Sequence, residues 1–588
     1  MPGFILNIGK EKLSLPNEVR HALVIDRMEG EDFQLERRVV NKFMNDRLFS
    51  ETTGYLVVVE GIVLNNHELM AKYQTDTWLD CVVKMYEHEG EAFFNAFRGS
   101  FSGALYDKKA DKWIVYTCHT GEKQVFYTSL ENGFLMASEM RFMVETMKAN
   151  HLHPEVDEVG CYFSLTHGFC IEDRTLVKEV HKLIAGHYLR IQHGKLEVVQ
   201  YHRFSNKPVA MSVDEAVEGI DRLFRQAVRR AFEKDKEYGY RHLTCLSGGL
   251  DSRMTVWVAH ELGYTDQTNI DYSQSGYLDF TISQQIAIDL HHDYFFSPLD
   301  HGDFIHRYQF LPALTYGSGF MLGHGYSLEQ LINYEPFGIF HTGQIGDAIV
   351  GTFFKKNVYN KTYGLGQGAY SQELIDRLKD YRFVEDYENE EIFCLYTRAF
   401  TGANQGLLTF QENTEHYSPF TDVDFLEFCY SIPLNLRFKH KIYFDWILDR
   451  YPQAGEYVWE NTRQKIHRIE NHPPKTMKVL GYEVPHFTEP DFGKYVKGFV
   501  LRRLGLRKKG EKPKTIVEKS SYNMNPVDYW YDTNPAIKRF MDAFWEENHT
   551  LVPDPQLHDD MEHLFKDCVP YDKMQCLSVL AAIKLILK

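Results

Sequence analysis

Through the first 205 residues the apolar positions come in short runs: YLVVV at 55–59, WIVY at 113–116, FLMA at 134–137 and YLRI at 188–191, parted by Gly, Asn and Asp. Short runs rich in β-branched and aromatic residues and bounded by turn formers predict strands. Helical spacing interrupts them near 78–97 and 155–165. A polar, proline-bearing stretch, SNKPVAMS, closes this part, and 213–234 then repeats apolar residues at the spacing of one helix face. Ser212, with Glu215 three positions on, predicts that helix's start by reciprocal capping. We place a domain boundary there, separating 1–205 from 206–588. From 241 the rhythm becomes strand, turn, helix. Leu243 to Leu246 is a short apolar run, 253–262 is helical, and 269–272, 279–290 and 294–296 repeat the alternation. That alternation predicts βαβ units and a parallel sheet. Beyond 370 the chain reads as mainly helical, and no internal repeat is found.

Composition narrows the class. The chain has 588 residues, 44% hydrophobic and 25% charged, which is the mix of a globular protein of two to four units. The 65 basic residues against 82 acidic ones leave a net charge of −17, which argues against nucleic acid as a partner. No run of about 20 apolar residues predicts a transmembrane helix. The opening MPGFILNIGKEKLS lacks a basic lead and a long apolar run, so no secretory signal is expected and the cytoplasm is the expected location. The nine cysteines include no Cys-x-x-Cys pair. Reduced, mostly buried thiols are therefore expected rather than a disulfide framework or a structural zinc site. His291 and His292 lack the spacing that puts two ligands on one helix face.

The most informative string is SGGLDS at 247–252, between a predicted strand and a predicted helix. In parallel sheets ligands bind at that edge. Gly248 and Gly249 let the backbone approach an anion, the helix start directs N–H groups at it, and Ser247 and Ser252 add hydroxyl donors. Asp251 supplies a carboxylate suited to holding magnesium against phosphate oxygens.

This string resembles the pyrophosphate-binding loop of the ATP pyrophosphatases. Further motifs resemble the asparagine synthetase family: RGSFSGALYD at 98–107, GEK at 121–123, ASE at 137–139, KLIAGHY at 182–188, HTGQIGDAIVGTF at 341–353, SPFTD at 418–422 and RQK at 463–465. The similarity covers about 1–470. The resemblance implies an α/β protein with two parts. An N-terminal αββα sandwich of the N-terminal-nucleophile amidotransferase type precedes a parallel-sheet synthetase domain, like the adenine-nucleotide α-hydrolases, with a helical C-terminal region. It implies ATP and Mg2+ as cofactors, with Asp251 and Asp347 holding the metal. Thr342 and Gly343 would contact the nucleotide, Cys245 and Tyr272 would lie near adenine, and Lys465, with Lys441 second, would steady the phosphates.

Departures from the family pattern carry the functional expectation. The family's glutamine hydrolysis uses a cysteine after the initiator Met, where this chain has Pro2. Glu60, Gly61 and Ile62 stand in place of its Asn-Gly-Glu oxyanion and substrate motif. Glutaminase activity is not expected. In the second half Gln344 replaces a Glu, and a glutamine cannot accept a proton at neutral pH. Ala348 replaces a second acid and Tyr417 an arginine. The expected activity is ATP-dependent amide synthesis through an acyl-adenylate, releasing AMP and pyrophosphate. The expected substrate is a small-molecule or peptide carboxylate other than aspartate, in natural-product or surface-polysaccharide biosynthesis, with an amine or ammonia as nitrogen donor. An ammonia-dependent asparagine synthetase and a nucleotide-binding scaffold without catalysis are the alternatives. Whether the chain forms a homodimer stays open. The basic stretch 494–514 is read as a solvated loop, with docking on an anionic surface as the weaker reading.

Overall fold

The computed structural model describes residues 3–16, 23–307, 323–469 and 524–588, with the backbone of 476–479 and 482–485. Pro2 and the basic stretch 494–514 lie outside the described residues.

The first part runs β1 (Gly3–Ile8), β2 (Leu23–Glu29), β3 (Phe33–Val40), β4 (Leu48–Glu51), β5 (Tyr55–Val63), α1 (Asn66–Tyr73), α2 (Trp78–Glu89), β6 (Gly99–Asp107), β7 (Lys112–Thr117), β8 (Phe126–Leu130), β9 (Gly133–Ala137), α3 (Met140–Ala149), α4 (Glu158–His167), β10 (His181–Lys182), β11 (His187–Gln192) and β12 (Lys195–Gln200). Two six-stranded sheets form, ordered β10-β8-β9-β1-β3-β2 and β12-β11-β7-β6-β5-β4. The strand β5 shows why its sequence lacks polar alternation. Leu56 and Val58 enter the core between the sheets, while Val57, Val59 and Val63 enter the core under α1 and α2. With both faces covered, a continuous apolar run is the stable solution. The layers are helix, sheet, sheet, helix, as expected.

A connector leads to α5 (Val213–Glu237), which starts with the capping box of Ser212 and Glu215. Its Ala216, Ile220, Phe224, Ala227, Val228 and Ala231 form one buried stripe. Next come β13 (Arg241–Cys245), α6 (Leu250–Glu261), β14 (Gln267–Ser273), α7 (Leu278–Asp289), β15 (Asp293–Pro298), β16 (Phe337–His341), α8 (Gly346–Val350), β17 (His416–Tyr417), α9 (Val423–Ser431) and α10 (Lys441–Arg450). Among the described residues β15-β14-β13-β16-β17 make one five-stranded sheet whose pairs are all parallel. The helix α6 begins at Leu250, three residues earlier than the periodicity predicts, so Asp251 and Ser252 stand in its first turn.

The tail adds α11 (Val527–Thr533), α12 (Pro535–Asn548), α13 (Pro555–Asp567) and α14 (Pro570–Leu587). It packs on the first part: Leu577, Leu580 and Ile583 of α14 share a core with Phe163 and Leu165 of α4. Gln575 Nε2 donates to Ser164 O at 2.8 Å. No helix among the described residues is long and apolar enough to cross a membrane. All nine cysteines are free thiols.

Candidate active site at the edge of the parallel sheet

Between β13 and α6 the chain turns back on itself through its own hydroxyls. Ser247 N donates to Ser252 Oγ at 3.0 Å, the two hydroxyls lie 3.0 Å apart, and Gly249 N donates to Ser247 Oγ at 3.2 Å. Gly248 N donates to Asp279 Oδ1 at 2.8 Å. A Cβ on Gly248 would stand 2.8 Å from that carboxylate and 3.0 Å from Glu460 Cβ, so only glycine fits. A Cβ on Gly343 would meet Ser252 N at 2.2 Å. The turns after neighbouring strands β13 and β16 therefore pack backbone against backbone.

That approach brings the two predicted metal-binding aspartates together. Asp347 N donates to Asp251 Oδ2 at 2.8 Å, and Tyr443 OH donates to Asp251 Oδ1 at 2.8 Å. Burial pushes the Asp251 carboxyl well above the usual carboxylate range, and the neighbouring Asp347 charge adds to it. His440 is held low by burial, with Asp347 pulling the other way. Two more carboxylates border the loop. Asp279 is raised to about 6 by burial and then by Glu460, and Asp271 to about 7 by burial and then by Asp279. Such a concentration of oxygen donors suits a hard divalent cation, which would offset the crowded charge.

A cavity of about 340 Å³ opens over these groups. From the β13 turn it is lined by Cys245, Ser247, Gly249, Asp251 and Ser252, and from β14 by Tyr272. From the β16 turn come Thr342, Gly343, Gln344 and Asp347. Gly248 stands just behind, with its amide taken by Asp279. The volume lies in the range of small-molecule sites. Gln344 Nε2 donates to Ala403 O at 2.7 Å. Since a carbonyl only accepts, the amide nitrogen must face it, which turns Oε1 the other way.

Two predicted residues stand apart from the cavity. Lys465 is 57% exposed and pairs with Glu456 at 2.7 Å. Lys441 is buried and pairs with Asp445 at 2.9 Å. Tyr417 and Ala348 are buried too, and Tyr417 OH donates to Asp422 Oδ2 at 3.2 Å. Other residues of the site were not predicted: Asp279, Tyr443, His440, Glu460 and Arg253. Arg253 is fully buried and donates to Gly248 O at 2.9 Å and to Val458 O at 2.8 Å, tying the loop to the segment that carries Trp459 and Glu460. A signal for Asp279 did exist, because it is a first-turn acid following β14 just as Asp251 follows β13. Nothing local marks Tyr443, His440 or Glu460.

In the first part, the position where the family resemblance implies an oxyanion hole is filled. Glu60 of β5 is buried against Arg47 at 2.6 Å, and Arg47 also reaches Glu415, from the second part, at 2.6 Å. Lys123 completes the group on Glu415 at 2.7 Å. Burial pushes Glu60 up; at Glu415 the pull of Lys123 and then Arg47 outweighs burial and holds the carboxyl low.

A sandwich of the amidotransferase type, joined to a parallel sheet with a glycine loop and paired aspartates, defines the class of protein. A glutamine amidotransferase domain matches residues 41–202. A putative glutamine-hydrolysing asparagine synthetase from Methanocaldococcus jannaschii is 27% identical over 282 residues, covering 45% of this chain and 53% of the relative. An amidase from Penicillium rubens is 28% identical over 203 residues, 33% of this chain and 28% of that protein. A glutamine-hydrolysing asparagine synthetase from Bacillus subtilis is 25% identical over 234 residues, 36% of this chain and 30% of that protein. The matches thus span about half or less of these relatives' own lengths. Residues 41–202 are thus similar to a glutamine amidotransferase domain, and the chain is similar in part to asparagine synthetases and to this amidase.

Proposed function

We propose that this chain is an ATP-dependent carbon–nitrogen ligase that activates a carboxylate other than aspartate as its adenylate and passes it to an amine or ammonia. It does so without hydrolysing glutamine. The observation that carries the reading is the 340 Å³ cavity, in which the glycine loop and the Asp251–Asp347 pair face one another. In the first step a carboxylate oxygen bonds to the α-phosphorus of ATP and pyrophosphate leaves. In the second, the amine bonds to the acyl carbon, AMP leaves and one proton is lost. Asp251 and Asp347 would hold Mg2+, which when bound supplies charge neutralisation to the leaving pyrophosphate. Tyr443 orients the Asp251 carboxylate. Gln344 cannot act as base, and its fixed Oε1 would accept a hydrogen bond from the substrate or the incoming nitrogen.

The buried Glu60–Arg47–Glu415–Lys123 group supports the absence of glutamine hydrolysis. A carboxylate locked by an ion pair stands where negative charge would have to be stabilised. Nitrogen would then enter as free ammonia or as part of a second substrate. Biosynthesis of a natural product or a surface polysaccharide in the cytoplasm is a fitting setting, and nine free thiols agree with a reducing compartment.

Pyrophosphate exchange tests this. The full chain with ATP, Mg2+ and panels of carboxylates should exchange labelled pyrophosphate into ATP with one acid class and not with aspartate. Exchange with aspartate would favour the ammonia-dependent asparagine synthetase. Nucleotide binding without exchange for any acid would favour a scaffold, a reading to which the Gly248 amide held by Asp279 gives some support.

A further inference from the structure

Where the tail meets the 371–374 segment, three metal-ligating side chains converge, two of them neighbours in the tail and the third from far upstream. His563 lies on the last turns of α13, Cys568 caps that helix, and Glu373 comes from the 371–374 segment. One ligand atom from each lies within 4.8 Å of the other two. Cys568 Sγ and His563 Nε2 are 3.8 Å apart. A sulfur at about 2.3 Å and a nitrogen at about 2.05 Å from a tetrahedral zinc stand about 3.6 Å apart. The pair is thus spaced as ligands.

The imidazole is also set for this role. His563 Nδ1 stands 3.0 Å from Asp567 Oδ2. With Nδ1–H donating to that carboxylate, the Nε2 lone pair faces the thiol, which is the carboxylate–histidine arrangement that orients metal-bound imidazoles. The local charge points the same way. The carboxylates of Glu373, Asp572 and Asp567 surround Cys568, opposed by Lys573, whose ammonium is engaged with Phe565 O and Lys566 O. A buried trio elsewhere shows the contrast. His242 Nδ1 and His341 Nε2 sit 2.8 and 2.7 Å from Asp235 Oδ2, at direct hydrogen-bond distance with no room for an ion.

We propose that Cys568, His563 and Glu373 bind a zinc-class divalent metal, with water in the fourth position, clipping the tail helices to the 371–374 segment. The mixed thiolate, imidazole and carboxylate set selects zinc or cobalt over magnesium.

The test uses the full reduced, metal-free chain titrated with Co2+. One equivalent should bind with a sulfur-to-cobalt charge-transfer band that Zn2+ displaces. The band should vanish in Cys568→Ser and persist in Cys245→Ser, the other cysteine that is not fully buried. His563→Ala and Glu373→Gln should each weaken zinc at least about tenfold, and Asp567→Asn by about tenfold, through loss of ring orientation. Circular dichroism checks that each variant is folded. No band in the native chain, or a band that survives Cys568→Ser, would overturn the site. Neither result bears on pyrophosphate exchange, so the ligase reading stands or falls separately.

Discussion

Two clusters of charge, one joining the sandwich to the second part and one at the sheet edge, end up in opposite states. In the first, Glu60 of the sandwich and Glu415 of the second part meet Arg47 and Lys123, and every charge in the group has an opposite charge within 2.7 Å. At the sheet edge, Asp251, Asp347, Asp279 and Glu460 crowd a cavity whose described lining includes no Lys or Arg side chain. A set of charges that closes on itself is structural. A set of like charges facing a cavity is held by helix N–H groups, a tyrosine and a carboxyl raised by burial, and on the proposed reading a cation would complete it. On the proposed reading the sandwich acts as a supporting element, while the sheet edge keeps unmet valence for a ligand.

The sharpest break in this contrast comes from exchanging one acid in each cluster for its amide. Asp251→Asn should lower pyrophosphate exchange by roughly 1,000-fold, since metal-borne charge stabilisation is worth several kcal/mol in such transition states. Glu60→Gln should leave exchange within about twofold. Equal losses from the two changes would mean that the sandwich takes part in the chemistry.

Stability should show the reverse ranking. Arg47→Ala leaves Glu60 and Glu415 buried with one fewer cation, and breaking such a group costs about 3–5 kcal/mol. Urea unfolding would measure it. A loss under about 1 kcal/mol would show that water reaches the group and that it is not the weld it resembles.

Asp279 gives a pH test of the unmet side. Its pKa rises from 3.8 to about 6 on folding, through burial and then Glu460. Below about pH 4 the acid is protonated in folded and unfolded chains alike, and it costs nothing. Between 4 and 6 only the unfolded chain ionises it, so stability falls as pH rises, and the cost is complete above 6. Asp279→Asn keeps an acceptor for Gly248 N and should stabilise the nucleotide-free chain by up to about 3 kcal/mol at pH 7.5, with little gain at pH 4. A gain independent of pH would show that the effect is not electrostatic.

The parts of this site that could be read from the chain are those made by neighbours in sequence. The strand, SGGLDS and helix are contiguous, and the Thr342–Asp347 turn has its own glycine pattern, so loop and acids were legible together. Tyr443, His440 and Glu460 arrive from about 190 residues downstream, through packing no local pattern encodes. The tail illustrates the same limit: its helices were evident, but not that Leu577 and Leu580 would bury against α4. Cysteine spacing could not point to the trio proposed as a metal site, because spacing tests only ligands on one local motif. Glu373 reaches Cys568 and His563 solely through the fold.

Lys465 sets these two kinds of knowledge against each other at the smallest scale. The resemblance of its RQK string implies a phosphate contact, yet its ammonium pairs with Glu456 in solvent, outside the cavity lining. An exposed pair of this kind contributes under about 1 kcal/mol, so Lys465→Ala should barely move the unfolding midpoint. If the observed position is also the working one, exchange should fall less than about tenfold, well short of Asp251→Asn. Equal losses would mean that the segment after Trp459 reorganises around bound nucleotide and brings the cation that the cavity otherwise lacks. The contrast between closed and open clusters would then hold only for the empty protein, and the unmet charge at the sheet edge would be completed from within the chain.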